Sequence, residues 1–388
     1  MKKQNVVQDQ DCGKNKYPQV FSPLKIGSIK LPNRIVLPAM HVNYANLDGT
    51  ISEKLQDFYL ATAIGGCGLI ITGAAVVSSD TVAFDRVMRI DNNNYLLGLK
   101  ELFSKIEEYG SVPGIQLIHY GRQALSSVTG SDLLAPSAIP CPIMSQYDPD
   151  YKVKEMTLED ITRVRQDFIA AAVRAAQAGA KVVEVHAAHG YLLNQFLSPY
   201  SNRRNDEYGG TATKRARLTL EIIKGIRTAL GSNIAISVRV SGDEFVKDGL
   251  TPPDFKSLLP LFVLAGMDML NVTAGVYESA ERIFPASDLG PMPHIGITAE
   301  LKGYTEVPVC AVGSITTLEM AETVLSSDKA DLVAIGRGQI ADPEMVLKSA
   351  SGRETEIQEC LGCNQCNYSS TGDPQMYCLV NPELRRDF

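Results

Sequence analysis

Eight short runs rich in β-branched residues recur along the 388 residues, separated by stretches with helical spacing. The runs are RIVLPAM (34–40), LIITGAAV (69–76), GIQLIH (114–119), VVEVHA (182–187), IAISVRVS (234–241), MLNVTAG (269–275), VPVCAVG (307–313) and DLVAIGR (331–337). None alternates strictly between apolar and polar positions. A strand covered on both faces has no solvent side to mark, so such runs read as parallel strands of an α/β fold. The stretches SEKLQDFYLATAIGG, LEDITRVRQDFIAAAVRAAQAGA and KRARLTLEIIKGIRTALG carry the helical pattern. The second has Thr157 as N-cap, Glu159 and Asp160 in its first turn and Gly179 as its stop. Asp160 holds the N3 place, where Glu or Gln would complete a capping box, so a partial box is expected. Eight strand–helix repeats predict a (β/α)8 TIM barrel over residues 17–350, with an open doubly wound sheet as the alternative.

Net charge is -7 and no long basic run occurs, which argues against nucleic acid and anionic membranes as partners. No apolar run approaches the roughly 20 residues of a membrane span. The first sixteen residues, MKKQNVVQDQDCGKNK, lack the apolar core of a signal peptide. Residues 1–16 are therefore expected to be a flexible lead-in and the compartment cytoplasmic. Oligomeric state is not encoded. The cysteines agree with a reducing compartment: 12, 67, 141 and 310 are scattered and expected as small buried hydrophobes. The remaining four, Cys360, Cys363, Cys366 and Cys378, crowd into nineteen residues and form a C-terminal segment, 351–388.

In a barrel, polar residues just past the strands line the C-terminal face, where active sites sit. The qualifying stretches are PAMH (38–41), TGAA (72–75), QLIHYGR (116–122), HAAHGY (186–191), VRVSGDE (238–244), TAGVYE (273–278), VGS (312–314) and IGRG (335–338). The loop 120–157, rich in Pro, Ser and Asp, is expected to fold over that face as part of a substrate pocket or lid. His186, His189 and Tyr191 end an apolar strand, although the chain has only five histidines. Two imidazoles can donate to one oxygen, and a neighbouring phenol can deliver a proton. A zinc site on His186 and His189 is the rival reading; it lacks an obvious third ligand, since Glu184 is expected to point the other way from the strand end. The glycine turns of the last two runs, with Arg337, suit a phosphate, although tight barrel turns need glycine anyway. No GxGxxG follows a strand, so a Rossmann module is not encoded. Thiols at i, i+3 and i+6 with a fourth twelve residues on suit a soft-metal centre, a [4Fe–4S] cluster or tetrahedral zinc.

HAAHGYLLNQFLSPYSNRRNDEYGG resembles the signature of the old yellow enzyme flavin oxidoreductases. The cysteine segment ending in CLVNP resembles the iron–sulfur branch, which includes 2,4-dienoyl-CoA reductases, 2-enoate reductases, bile-acid and steroid ene-reductases, and trimethylamine dehydrogenase. The resemblance runs from Pro23 to the end. It implies FMN in the barrel, with Pro38, Ala39 and Met40 along the flavin ring, Ala74 and Gln116 against it and Arg239 near its N1. Gly313, Ser314, Gly336 and Arg337 are implied to hold the phosphate. The four cysteines are implied to bind the cluster, His186 and His189 the carbonyl oxygen of the substrate, and Tyr191 to donate a proton. Asn202, Arg203, Asp206 and Tyr208 are expected to brace their loop. The implied activity is reduction of the C=C bond of an unsaturated carbonyl: a steroid or bile-acid enone, an enoate or an enoyl-CoA. The trimethylamine-dehydrogenase-like alternative is disfavoured by Met40, where that enzyme tethers FMN through cysteine, and by the absence of Trp for an amine cage. A pure electron-transfer subunit would need no proton donor. Multidomain members continue past the cluster, whereas this sequence stops at Phe388. That leaves either a fragment or a chain fed by a separate donor, a ferredoxin or flavin reductase, with NAD(P)H as direct or indirect source of electrons.

Overall fold

The eight runs close on themselves. The computed structural model describes residues 12–83, 85–370 and 375–384. The strands are β1 (Ile35–Leu37), β2 (Leu69–Val76), β3 (Val112–Ile118), β4 (Val182–Ala187), β5 (Ala235–Ser241), β6 (Met269–Thr273), β7 (Val309–Ala311) and β8 (Leu332–Ala334). They lie parallel and in chain order, and β8 pairs with β1 to complete the ring. Apart from Val112, every residue of these strands is buried, which is why no in/out alternation marks them.

Each strand is followed by an outer helix: α1 (Glu53–Ile64), α2 (Leu96–Glu108), α3 (Leu158–Ala178), α4 (Ala212–Leu230), α5 (Phe255–Ala265), α6 (Ile295–Lys302), α7 (Leu318–Ser326) and α8 (Met345–Ala350). In α3 the buried set is Ile161, Val164, Phe168, Ala171, Ala172, Ala175 and Ala178, one stripe at 3.6 spacing. Its capping box is complete, not partial: Thr157 N–H donates to Asp160 Oδ2 at 2.9 Å and Asp160 N–H to Thr157 Oγ1 at 3.1 Å. The shorter aspartate reaches back as well as glutamate would. Gly179 ends the helix at φ +106, a left-handed turn that glycine enters without penalty.

The hairpin Leu24–Ile26/Ile29–Leu31 stoppers the N-terminal mouth of the barrel. Ile26 and Leu31 pack there with Val36, Leu69, Val182 and Met269, each such burial stabilising by about 1.5–3 kcal/mol. Two expectations change. Residues 12–16 are a helix, Cys12–Lys16, against α8, with Lys16 Nζ 2.9 Å from Glu354 Oε1. Gly13 is required at that crossing, since a Cβ would lie 1.7 Å from the Ser349 carbonyl oxygen. The rest of the expected lead-in, 1–11, lies outside the described residues. The stretch 120–157 is not a plain loop: it contains a parallel pair, Leu133–Ala135 with Val153–Glu155, and short helices at Ser126–Thr129 and Met144–Tyr147. Among the described residues no helix is long and apolar enough to cross a membrane.

The C-terminal segment returns to the barrel rim. Tyr44 hydroxyl donates to the Met376 carbonyl at 2.5 Å, Met376 N–H to the Val42 carbonyl at 3.1 Å, and Asn381 Nδ2 to the Ile340 carbonyl at 2.8 Å. It is thereby seated over the tips of β1 and β8.

Candidate active site

β4 carries His186 one residue before its end at Ala187, and the chain then turns sharply so that three side chains meet. His189 adopts φ +60, held by its N–H donating to Ser241 Oγ at 2.9 Å. The ring centroids of His186 and His189 are 5.2 Å apart, of His186 and Tyr191 4.8 Å, and of His189 and Tyr191 6.3 Å. The sequence-predicted trio is therefore one cluster on the C-terminal face. His186 Nδ1 accepts the Ala188 N–H at 3.3 Å, which leaves Nε2 to carry the proton of a neutral ring. His189 Nε2 lies 3.0 Å from Thr273 Oγ1. Burial, then the charge of Arg239, holds both histidines well below the usual imidazole range. At neutral pH they are dipolar hydrogen-bonding groups, not cations.

Arg239 is the register partner of His186 on β5 and is itself buried. Its Nη1 donates to the Ala39 carbonyl at 3.3 Å, and its Nε has no hydrogen-bond partner among the described residues. Desolvation lowers its pKa, and Glu184 opposes that. Glu184 shares the interior face of β4 with His186, contrary to expectation, because residues two apart in a strand point the same way. It is no metal ligand in waiting: Gln116 Nε2, Ser237 Oγ and Asn271 Nδ2 donate to it at 2.8, 2.8 and 2.9 Å. Gln116 thus lies inside the barrel, its amide N–H donated to Glu184.

The residues expected along a flavin come together from four strands. Pro38 and Ala39 are buried and Met40 half-buried. A Cβ on Gly336 would meet Met40 Sδ at 3.1 Å and Pro38 Cγ at 3.5 Å, so the β8 turn lies against the β1 tip. Ala74 sits in β2 where its register with β3 shifts, between Thr72 and Ala75. A pocket of about 210 Å³ at the β1–β2 rim is lined by Met40, His41, Tyr59, Gly73 and Ala74 among others. At the other end Gly313 has φ +125 and Ser314 φ +49, and Arg337 Nη2 donates to Ser314 Oγ at 2.6 Å.

Tyr277 and Tyr120 were missed. The β6 loop is drawn to β4 by a bridge between His189 and Val276, and the Tyr277 hydroxyl lies 3.1 Å from the Tyr191 hydroxyl. The Tyr120 ring stacks edge-on to Tyr191 at 5.4 Å. Burial raises the phenol pKa of Tyr191, against weaker lowering by Tyr277 and Arg239, so it stays protonated. Both residues stood in rim stretches, but a single tyrosine in a loop carries no spacing signal. The loop brace was misassigned by one residue. Arg204, not Arg203, holds Asp206 and the carbonyls of Pro136 and Met156, while Asn202 Nδ2 bonds the carbonyls of Phe196 and Tyr208.

Cys67, Cys141 and Cys310 are buried free thiols, as expected. Cys360, Cys363, Cys366 and Cys378 form no disulfide and line one pocket of about 320 Å³ with Arg337 and Asn364. Burial, then the charge of Cys360, pushes Cys366 up to about 12. Among the described residues no group of three or more His, Cys, Asp or Glu side chains converges to hold a metal ion. The structure therefore brings the four thiols to one place without closing them into a site.

Residues 19–356 match the NADH:flavin oxidoreductase / NADH oxidase family. The chain is 40% identical over 377 residues to an NADH oxidase of Thermoanaerobacter brockii, covering 96% of this chain and 57% of that one. It is 30% identical over 396 residues to a cinnamate reductase of Clostridium sporogenes, covering 96% and 59%. A 2-naphthoyl-CoA reductase in complex with 2-naphthoyl-CoA superposes with TM-score 0.90 at 27% identity, over 95% of this chain and 57% of that one. The chain thus spans less than two-thirds of each of these proteins.

Proposed function

Because the chain belongs to the NADH:flavin oxidoreductase / NADH oxidase family, we propose that it is the catalytic barrel of an FMN-dependent ene-reductase, acting on the C=C bond of an α,β-unsaturated carbonyl. The observation that carries the reading is the neutral His186–His189 pair with a protonated phenol 4.8 Å from His186, beside a buried arginine.

The residues fit FMN. Gly336 leaves the space a Cβ would fill against Met40 and Pro38, and Arg239 keeps an unsatisfied buried N–H. Pro38, Ala39, Met40, Ala74 and Gln116 would hold the ring, and Gly313, Ser314, Gly336 and Arg337 the phosphate. When bound, FMN supplies hydride to the β-carbon of the substrate. His186 and His189 orient the carbonyl oxygen and stabilise the charge it gains; one such donor is typically worth roughly 100–1000-fold in rate. Tyr191 delivers its proton to the α-carbon, and Tyr277 holds the phenol in line. Arg239 places a fixed positive charge that favours an anionic ring. The thiols of Cys360, Cys363, Cys366 and Cys378 are the right donors for a [4Fe–4S] cluster, whose chemistry is single-electron supply. NAD(P)H is the source of electrons, directly or through a separate protein, and the reaction belongs to a reducing compartment such as the cytoplasm.

The test is anaerobic turnover of purified protein with chemically reduced flavin donors. The panel contains steroid enones, enoates, enoyl-CoA thioesters and tertiary amines. Reduction of at least one C=C class is expected. Oxidation of an amine with no C=C reduced would overturn the reading in favour of an amine dehydrogenase.

A further inference from the structure

A closed ring of hydrogen bonds surrounds the turn assigned to the flavin phosphate. Arg337 Nη2 donates to Ser314 Oγ at 2.6 Å, and Ser314 Oγ donates to the Pro285 carbonyl at 2.9 Å. Arg337 Nη1 donates to Asn364 Oδ1, and Asn364 Nδ2 donates to the Phe284 carbonyl at 2.9 Å. Phe284 and Pro285 are neighbours in sequence, so the circuit closes. It joins the turns after β7 and β8, the β6 loop that carries Tyr277, and the cysteine segment. Asn364 lies between Cys363 and Cys366 at φ +56, a left-handed conformation that asparagine tolerates.

We infer that Asn364 is a positioning residue for the phosphate end of FMN, acting through Arg337. This rests on the phosphate reading given above. Arginine carries large rotamer freedom that must be frozen when it grips an anion. Asn364 and Ser314 freeze it beforehand, from opposite sides of the guanidinium, and leave further N–H groups to face a phosphate. Pre-organisation of this kind removes an ordering cost from binding. A ligand that lacks the phosphate gains nothing from it. The cysteine segment therefore reaches the flavin through a side chain, besides any electron it passes.

The discriminating measurement compares FMN with riboflavin. Flavin is removed reversibly from wild type and from Asn364→Gly, a substitution that keeps the left-handed backbone. Dissociation constants follow from quenching of flavin fluorescence, and iron per chain is counted alongside. Wild type is expected to prefer FMN; Asn364→Gly should weaken FMN by roughly three- to tenfold, the worth of the hydrogen bond that holds Arg337, and leave riboflavin within about twofold. An unchanged FMN constant would overturn the inference, and so would equal weakening of both ligands, the mark of a merely structural residue. If wild type itself does not distinguish the two flavins, the phosphate reading at Gly313, Ser314, Gly336 and Arg337 falls first and this inference with it. Should the glycine variant not fold, Asn364→Ala carries the same comparison.

Discussion

Tyr191→Phe separates the two halves of the proposed cycle. The ring contacts survive the change: His186, Tyr120 and Tyr277 pack edge-on at 4.8, 5.4 and 5.8 Å, and none needs the hydroxyl oxygen. What is lost from the fold is one hydrogen bond to Tyr277 at 3.1 Å, about 0.5–1.5 kcal/mol of stability. What is lost from the chemistry is the general acid, typically roughly 10²–10⁴-fold. Substrate reduction should therefore slow by that factor while reduction of the flavin changes little, because no proton from Tyr191 is needed there. Anaerobic stopped-flow absorbance reads both half-reactions on one sample. The raised phenol pKa adds a second expectation: between pH 6 and 9 the wild-type proton-transfer step shows no loss from ionisation of Tyr191. Equal slowing of both half-reactions would refute the argument and make Tyr191 a packing residue.

Protein prepared anaerobically is expected to release FMN and to carry about four iron per chain; Cys363→Ser should lose the iron and keep the flavin, whereas zinc without iron in wild type rules out the cluster. Electron supply is expected to run through a protein donor: reduced ferredoxin or a flavin reductase should bleach the flavin faster than NADH alone, and equal rates in wild type and a cluster-free Cys366→Ser variant would refute this. Glu244 is a pH-linked group, its carboxyl pushed up to about 7 by burial from an ordinary 4.5. A raised folded pKa means that its stabilising contribution is full below 4.5 and is lost as pH rises to 7. The stability difference between wild type and Glu244→Gln should therefore shrink by about 3 kcal/mol from pH 5 to pH 8 in denaturant melts; a constant difference refutes the assignment.

The barrel was legible because its signal is repetitive. Eight buried runs with helices between them admit few closures, and each strand fell within its expected run or within two residues of it, the first and last runs ending three residues early. The trio His186, His189 and Tyr191 was legible because spacing along one strand end is local. What failed was long-range or depended on side-chain reach. Tyr277 meets Tyr191 only because the β6 loop crosses to β4, a contact 86 residues apart in sequence. Glu184 was turned the wrong way for lack of a simple two-residue parity argument along β4. The choice between Arg203 and Arg204 hinges on which of two identical side chains faces inward, and composition cannot tell them apart. The four cysteines, grouped by their spacing, line one pocket, but spacing says nothing about whether the thiols converge.

The burial that keeps the histidines neutral also limits the conditions the fold can endure. His119, His186, His189 and His294 are each under 9% exposed, and desolvation holds His119 and His294 near 4 and the other two well below the ordinary 6.5. An unfolded chain would protonate all four near 6.5. Between those values unfolding takes up protons, so stability rises with pH and falls on acidification by up to about 5 kcal/mol per pH unit. Few domains have a reserve larger than two or three such units. Acid collapse should thus be abrupt and cooperative, set by several buried imidazoles at once, and part of the protein's acid limit is written into the pair proposed to hold the substrate carbonyl.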